Sequence, residues 1–220
     1  MKNKIEFKMP PKSLVMDELS DIGVSNDLYY SKNLFARFVF RNRMKYALNM
    51  ANPVNKVVLD IGCGAGFMAY NLSENGGKTI ACDLRTKLNK SNAVFNNFLS
   101  CPKIEFNNAD IFHLPFKSKS FDIIYALDML EHLENVELAL IEIKRVLKKD
   151  GLLIVSIPNE NIFYRIGRKI SGIKIKANHL HDSNELMQLL NRYFDNVGNM
   201  AITPLKLFYI NSYIKSGNEK

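Results

Sequence analysis

The sequence predicts an α/β protein built around a mostly parallel sheet with helices on both faces. Short apolar runs rich in β-branched residues alternate with helical segments through the middle of the chain, which is typical of parallel strands buried between helices. A glycine-rich loop enters the first helix of this alternation, and Asp60, Asp83 and Asp110 end or follow three successive runs. Because the carboxyl ends of parallel strands meet at one edge of a sheet, these features predict a ligand crevice there.

Each element is predicted from a local pattern. Apolar residues at helical spacing predict a helix at residues 31–50, which Asn52 and Pro53 end. A strand at 57–60 leads into the glycine loop, and a helix at 67–74 follows it. The remaining patterns predict, in chain order, a strand at 78–83, a helix at 86–99, strands at 104–106 and 121–127, a helix at 136–147, a turn at 150–151, a strand at 152–157, a helix at 184–193 and two terminal strands at 197–203 and 205–214.

The composition limits the number of domains and the compartment. A chain of 220 residues with 47% hydrophobic and 24% charged residues forms one ordinary domain with a peripheral element. Three cysteines do not make a disulfide framework, which indicates a reducing compartment. No apolar run is long enough to span a membrane and the chain starts without an apolar signal core, so we expect a cytoplasmic protein.

The chain is expected to have a lid, a main domain and an insertion, and its positive charge is unevenly distributed among them. We expect residues 1–50 to form a helical lid on a main domain at 51–220, in which 161–181 is a substrate-side insertion. The net charge is +8, and both the lid and the insertion are rich in cations. A solvated basic face explains this charge, and so does an anionic headgroup, a peripheral membrane contact or RNA. Lysine far outnumbers arginine, so specific recognition of nucleic acid is not favoured.

The strongest local signal is the loop that contains Gly62, Gly64 and Gly66. Glycine at every second position lets a ligand lie against bare backbone. A dinucleotide loop has the spacing G-x-G-x-x-G, whereas here the third glycine comes one residue early. Asp60 would also repel a pyrophosphate, so it favours a ligand with an amino group and a positive centre. Asp83 is suited to accept the two hydroxyls of a ribose.

Together these segments resemble the class I S-adenosylmethionine-dependent methyltransferases, and most closely the small-molecule branch that includes the ubiquinone-biosynthesis O-methyltransferases. The resemblance covers about residues 54–160. It implies a Rossmann-like, three-layer sandwich whose seven-stranded sheet has the order 3-2-1-4-5-7-6 with an antiparallel seventh strand. The segments that carry it are VVLDIGCGAG, ACDLRTK, NADIFHLPFKSKSFDIIYALDMLEHL and LIEIKRVLKKDGLLIVSIPN.

The resemblance also implies S-adenosylmethionine as cofactor and S-adenosylhomocysteine as product. Asp83 would bind the ribose hydroxyls, and Leu84 would flank the adenine. Asp110 and Ile111 would hold the edge and the face of the adenine, and Leu127 would pass close to the sulfonium. The residues expected around the methionine and ribose are Asp60, Gly62, Cys63, Gly64 and Gly66.

Catalytic and substrate residues are predicted less sharply than the cofactor site. Asp128 and His132 are candidate general bases in the loop after the fourth strand, and a role in loop structure stays open for both. Departing from the family, the loop has Leu127-Asp128-Met129 where a Glu or Asn is common, although Glu131-His132 matches a common pair. No metal site is predicted, because no further ligand completes a cluster at regular spacing. The candidate substrate residues, for which packing is the alternative, are Tyr29, Tyr30, His179 and His181.

The sequence therefore predicts a methyltransferase that acts on a small-molecule or lipid-like acceptor. One alternative is a cofactor-binding protein without catalysis. Another is an RNA methyltransferase, which the sequence pI near 9.3 suggests. The loop at 127–130 lacks the Asn/Asp-Pro-Pro-Tyr pattern of enzymes that methylate exocyclic amines, which weakens this second alternative. The glycine spacing makes a dehydrogenase the least favoured function.

Overall fold

The structure, a computed structural model, describes residues 5–19, 22, 26–84, 87–99, 104–159, 179–201 and 206–216. Within these residues the strands form one sheet of seven, and its order is β3-β2-β1-β4-β5-β7-β6. The strands are β1 Val57–Ile61, β2 Lys78–Asp83, β3 Glu105–Asn108, β4 Phe121–Leu127, β5 Leu147–Pro158, β6 Phe194–Ala201 and β7 Phe208–Lys215. Strands β1 to β5 pair in parallel and β7 runs antiparallel to both of its neighbours. The predicted fold class, strand order and antiparallel seventh strand are confirmed.

Helices cover both faces of the sheet. Strand residues alternate between two cores, so Val58 and Ile123 face one core while Leu59 and Ile124 face the other. This alternation explains why the central strands are apolar throughout, since neither face meets water. The helices on the first face are α1 Lys12–Glu18, α2 Asn26–Tyr29, α3 Leu34–Asn49, α4 Phe67–Glu74 and α5 Leu88–Asn92 with its π-helical continuation Ala93–Phe98, and those on the second face are α6 Val136–Val146 and α7 Ser183–Tyr193.

Side-chain caps set the starts of three helices. The Asn33 side chain accepts hydrogen bonds from the first turn of α3, Asn135 does so for α6, and Asp182 does so for α7. Such caps satisfy backbone N–H groups that have no partner inside the helix. The predicted helix at 31–50 therefore begins later, because Asn33 is its cap and not its third residue.

The predicted turn at 150–151 falls inside β5, at an irregularity in its pairing with β4. The chain stays in β5, and its pairing with β4 shifts from Phe121–Leu147 to Ile123–Leu152. The residues between Leu147 and Leu152 are therefore an irregularity within one strand. A Cβ on Gly151 would lie 3.1 Å from the Lys148 carbonyl oxygen, so the chain folds back at the Asp-Gly pair before the regular pairing with β4 resumes.

The lid and the insertion are only partly described. Residues 161–178, most of the predicted insertion at 161–181, lie outside the described residues, so that prediction stays a prediction. In the lid, α2 and α3 pack on the first core through buried residues such as Tyr29, Val39 and Leu48. Among the described helices, none has the length and apolar character needed to cross a membrane.

Candidate active site

The loop between β1 and α4 uses its glycines in different ways. Gly62, Gly64 and Gly66 have φ values of +66°, +54° and +94°, a region that disfavours other residues. A Cβ on Gly66 would lie 2.9 Å from Phe106 Cε1, whereas a Cβ on Gly64 would meet no atom within 4 Å. Gly66 therefore admits an aromatic ring against the loop, while Gly64 exposes backbone to open space. Cys63 lies between them, and burial raises the pKa of its thiol, which makes a nucleophilic role unfavourable.

Asp60 is buried beside this loop. Its Oδ2 accepts a hydrogen bond of 3.1 Å from the Ala69 N–H in the first turn of α4, and the residue is 2% exposed. Burial raises the pKa of this carboxyl group to about 8, because a charged carboxylate is poorly solvated there. A cationic ligand close to Asp60 would reverse this effect and favour the ionised form.

Asp83 connects the end of β2 to the glycine loop. Its Oδ2 accepts a hydrogen bond of 2.9 Å from the Gly64 N–H, so the carboxylate is held next to the bare backbone. Leu84, the next residue, has a 63% exposed side chain. An exposed apolar surface beside a fixed carboxylate is suited to a nucleoside, with the base on the leucine and the sugar on the acid.

Asp110 and Ile111 lie at the end of β3 and have different environments. The Asp110 side chain accepts a hydrogen bond of 2.9 Å from the Phe112 N–H and caps the 3-10 helix Ile111–His113. Ile111 is 4% exposed and packs in the core under α6. Asp110 therefore lies at the predicted edge of the sheet, whereas Ile111 presents little surface to a ligand.

Asp128 follows β4 with a φ of +50°. Its N–H donates to the Ser156 carbonyl at 3.1 Å, and its Oδ1 accepts from the Ser156 hydroxyl at 2.6 Å. Its Oδ2 forms an ion pair with the Arg43 guanidinium. These contacts engage both carboxylate oxygens, which favours a role for Asp128 in holding the loop over the predicted role as a base. Leu127, the preceding residue, is half-buried against the first core.

Arg43 is the residue at this edge that the sequence analysis missed. It is 6% exposed, its Nη2 donates to the Tyr29 hydroxyl at 2.6 Å, and its guanidinium lies about 5 Å from the ring centroids of Phe40 and Phe208. The signal was present, because Arg43 occupies the same helical stripe as the buried residues Ala36, Val39 and Ala47. A cation on the apolar stripe of a helix requires a buried partner.

The candidate substrate residues Tyr29 and Tyr30 are buried in the lid. Their rings pack edge-on against Phe67 of α4, and the Tyr30 hydroxyl donates to the Pro10 carbonyl at 2.5 Å. Burial raises the pKa of the Tyr30 hydroxyl, with desolvation as the largest cause. These contacts favour packing, and a substrate role for the two tyrosines stays a prediction.

The histidine candidates meet in space. His132 belongs to the 3-10 helix Leu130–His132, and its ring centroid lies 5.0 Å from that of His179. Its Nε2 is 4.0 Å from Oε1 of Glu131, which is 1% exposed. His181 instead bridges the Glu185 carboxylate at 2.8 Å and the Leu133 carbonyl at 3.0 Å. The fold therefore places His179 with the loop after β4, whereas the contacts of His181 favour a structural role and leave its substrate role a prediction.

Comparison with known proteins identifies relatives of the central part of the chain. Residues 59–155 match a family model described as a methyltransferase domain. An uncharacterized protein of Methanocaldococcus jannaschii is 36% identical over 50% of this chain and 44% of its own length. Sterol 24-C-methyltransferase of Schizosaccharomyces pombe is 29% identical over 61% and 37%, and ubiquinone biosynthesis O-methyltransferase of Rickettsia conorii is 29% identical over 50% and 38%. The chain thus spans less than half the length of these three relatives.

A solved structure shares the fold over nearly the whole chain. Magnesium protoporphyrin IX methyltransferase of Synechocystis, crystallised with bound S-adenosylhomocysteine, has a TM-score of 0.67 and 17% identity. The match covers 94% of this chain and 100% of that protein. The shared fold therefore includes the lid side and the terminal strands as well as the segment that the family model matches.

Proposed function

We propose that this chain, which belongs to the class I S-adenosylmethionine-dependent methyltransferases, transfers the methyl group of S-adenosylmethionine to a small-molecule or lipid-like acceptor. The cofactor is that of the family. The acceptor class and the residues that bind each part of the cofactor belong to the proposal.

One observation carries the proposal. The Gly64 N–H donates to the Asp83 carboxylate, and the space above the Gly64 Cα is open. A carboxylate fixed beside bare backbone at the carboxyl edge of a parallel sheet is suited to a ribose. Asp83 binds the ribose hydroxyls there, and the exposed Leu84 flanks the adenine. Asp60, buried beside the first turn of α4, favours the ammonium of the methionine part.

Bound S-adenosylmethionine supplies an electrophilic methyl group on a sulfonium. The role of the chain is to hold this group and the acceptor in line, and positioning of this kind contributes roughly 7–11 kcal/mol to lowering a barrier. The left-handed turn at Asp128 and its ties to Ser156 and Arg43 fix the loop after β4, which borders the glycine loop through Met129 and Gly62. A fixed loop in this place excludes water and keeps the acceptor in line.

The lid supports an apolar acceptor. Leu34, Phe35 and Phe38 of α3 are 68%, 47% and 55% exposed, and Arg37 and Arg41 lie on the same helix. Exposed apolar side chains among cations fit an acceptor with an apolar body and an anionic group, or the surface of an anionic bilayer. The names of the sterol and ubiquinone relatives agree with an apolar acceptor.

The first experiment measures cofactor binding. Isothermal titration of the full chain with S-adenosylmethionine and S-adenosylhomocysteine is expected to show 1:1 binding that Asp83→Ala and Gly64→Val abolish. Asp122→Ala is the matched control, because Asp122 bonds Val57 and Lys148 at the opposite edge of the sheet. Circular dichroism verifies that each variant is folded. Retention of full affinity in folded Asp83→Ala would contradict the proposed ribose site.

The second experiment identifies the acceptor class. The chain is incubated with methyl-labelled S-adenosylmethionine and with separate small-molecule, lipid and RNA fractions. Label in the small-molecule or lipid fraction supports the proposal, and label in RNA alone replaces it with the RNA alternative. Cofactor binding without label in any fraction supports the alternative of a binding protein without catalysis.

A further inference from the structure

The fold gathers three metal-ligating side chains outside the predicted cofactor pocket. Glu131, His132 and His179 each offer one ligand atom, and these atoms all lie within 4.8 Å of one another. Glu131 and His132 are adjacent in the loop after β4, whereas His179 comes from the segment that precedes α7. The sequence predicted no metal site because regular spacing does not reveal a group assembled from two distant segments.

Two connections hold these segments together. The Leu180 N–H donates to the Glu131 carbonyl at 2.8 Å. His181 Nε2 lies 3.0 Å from the Leu133 carbonyl, and its Nδ1 lies 2.8 Å from the Glu185 carboxylate in α7. Leu180 and His181, which follow His179, therefore hold its segment against the loop after β4 without being ligands themselves. Preorganisation of this kind raises metal affinity, because less chain has to be ordered on binding.

We propose that Glu131, His132 and His179 bind one divalent transition-metal ion. Two imidazole nitrogens and one carboxylate oxygen form a donor set that suits Zn²⁺, Co²⁺, Mn²⁺ or Fe²⁺ better than Mg²⁺ or Ca²⁺, which prefer oxygen ligands. Glu131 is 1% exposed, and a metal cation bound beside it stabilises the ionised form of a buried carboxyl group. Metal–ligand bonds of about 2.0–2.2 Å require the ligand atoms to approach to roughly 3.3 Å. The half-exposed His132 side chain has room for this movement.

Three protein ligands leave coordination positions for the acceptor, and this role rests on the proposed function. The metal ion binds a hydroxyl group of the acceptor and lowers the pKa of that hydroxyl, whose proton then passes to solvent. The resulting oxygen forms the O–CH₃ bond while the S–CH₃ bond breaks, and the sulfonium becomes a neutral thioether. Such a site supplies the activation that Asp128 does not, since Arg43 and Ser156 engage both of its carboxylate oxygens.

Cobalt(II) provides a direct test of the site. The full chain is freed of metal with a chelator and titrated with Co²⁺, followed by visible absorption, and Zn²⁺ is used as competitor. We expect one Co²⁺ per chain with bands typical of nitrogen and oxygen ligation. Glu131→Gln and His179→Ala should each weaken binding by at least about 10–100-fold. His113→Ala is the matched control because His113 is exposed in the 3-10 helix that follows β3, and it should bind Co²⁺ as the wild type does.

The same samples are titrated with S-adenosylhomocysteine, which separates this inference from the proposed function. Loss of Co²⁺ binding in Glu131→Gln and His179→Ala, with affinity for the nucleoside retained, supports the metal site and shows that the variants are folded. A wild-type chain that binds the nucleoside but gives no Co²⁺ bands overturns the metal site alone. Equal Co²⁺ affinity in Glu131→Gln and the wild type overturns it as well.

Discussion

The buried ion pair between Arg43 and Asp128 provides the sharpest test of how the N-terminal helices are joined to the loop after β4. Arg43 belongs to α3, and Asp128 belongs to the loop after β4. The Arg43 side chain is 7% exposed and that of Asp128 is 19% exposed. Removal of one partner therefore leaves a charge that solvent reaches poorly, and this typically costs about 3–5 kcal/mol.

The contacts that each variant retains determine where its loss of stability falls within that range. In Arg43→Met, Asp128 keeps the Ser156 hydroxyl as donor and some access to water, so we expect a loss of about 3 kcal/mol in the free energy of unfolding. In Asp128→Asn, the guanidinium keeps the Tyr29 hydroxyl and the faces of two aromatic rings, so the loss is again about 3 kcal/mol. The double variant leaves no unpaired charge, so it should lose less than either single variant and far less than the roughly 6 kcal/mol of two independent losses.

Urea unfolding at neutral pH, followed by circular dichroism because the chain has no tryptophan, measures all four free energies. Lys45→Met is the control, since Lys45 is an exposed cation of the same helix and should change stability by less than about 0.5 kcal/mol. Additive losses within about 0.5 kcal/mol would refute the reasoning, because independent effects would mean that the two charges do not depend on each other.

Three further predictions concern the glycine loop and Asp60. Gly66→Ala should lower the free energy of unfolding by about 2–4 kcal/mol, because the positive φ costs about 1–2 kcal/mol and the clash with Phe106 adds to it. Gly64→Ala should lower it by only about 1–2 kcal/mol but should weaken cofactor binding. Equal losses of stability in the two variants would contradict this contrast. Burial raises the pKa of Asp60 from its ordinary value of 3.8 to about 8, so between these values the folded chain holds a proton that the unfolded chain has lost, and stability should fall as the pH rises through this window; urea titrations should find a weaker fall in Asp60→Asn. Binding of S-adenosylmethionine should release a proton near pH 7, because its ammonium favours the ionised Asp60; calorimetry in buffers of different ionisation enthalpy detects this release, and its persistence in Asp60→Asn would assign it to another group.

Much of the fold could be predicted because local patterns encode it directly. The predicted helix at 67–74 and the predicted strands at 78–83 and 121–127 have the observed bounds. The two strands each lie between other strands of the sheet, and the helix packs on its first core, so burial gives all three clear apolar patterns. The Asp-Gly pair that marks the irregularity in β5 was visible in the sequence, whereas the register shift against β4 depends on a second strand and was not.

The glycine loop and the acid at the end of β2 were also visible in the sequence. Gly62, Gly64 and Gly66 all adopt the left-handed conformation that glycine favours, and Asp83 was expected at a strand end facing that loop. Backbone conformation and the position of a strand end are local properties, so a single segment is enough to predict them. The sequence could not show that Gly66 contacts Phe106 while Gly64 faces open space, because this contrast depends on a neighbouring strand.

The sequence by itself determined a parallel sheet, a glycine loop and acidic residues at the ends of successive strands. Only the tertiary structure decided that Asp128 is paired with Arg43 and that His179 joins Glu131 and His132. Each of these contacts joins residues from segments far apart in the chain. Such contacts depend on how helices and loops pack at the edge of the sheet, and the periodicity of a single segment contains no information about that packing.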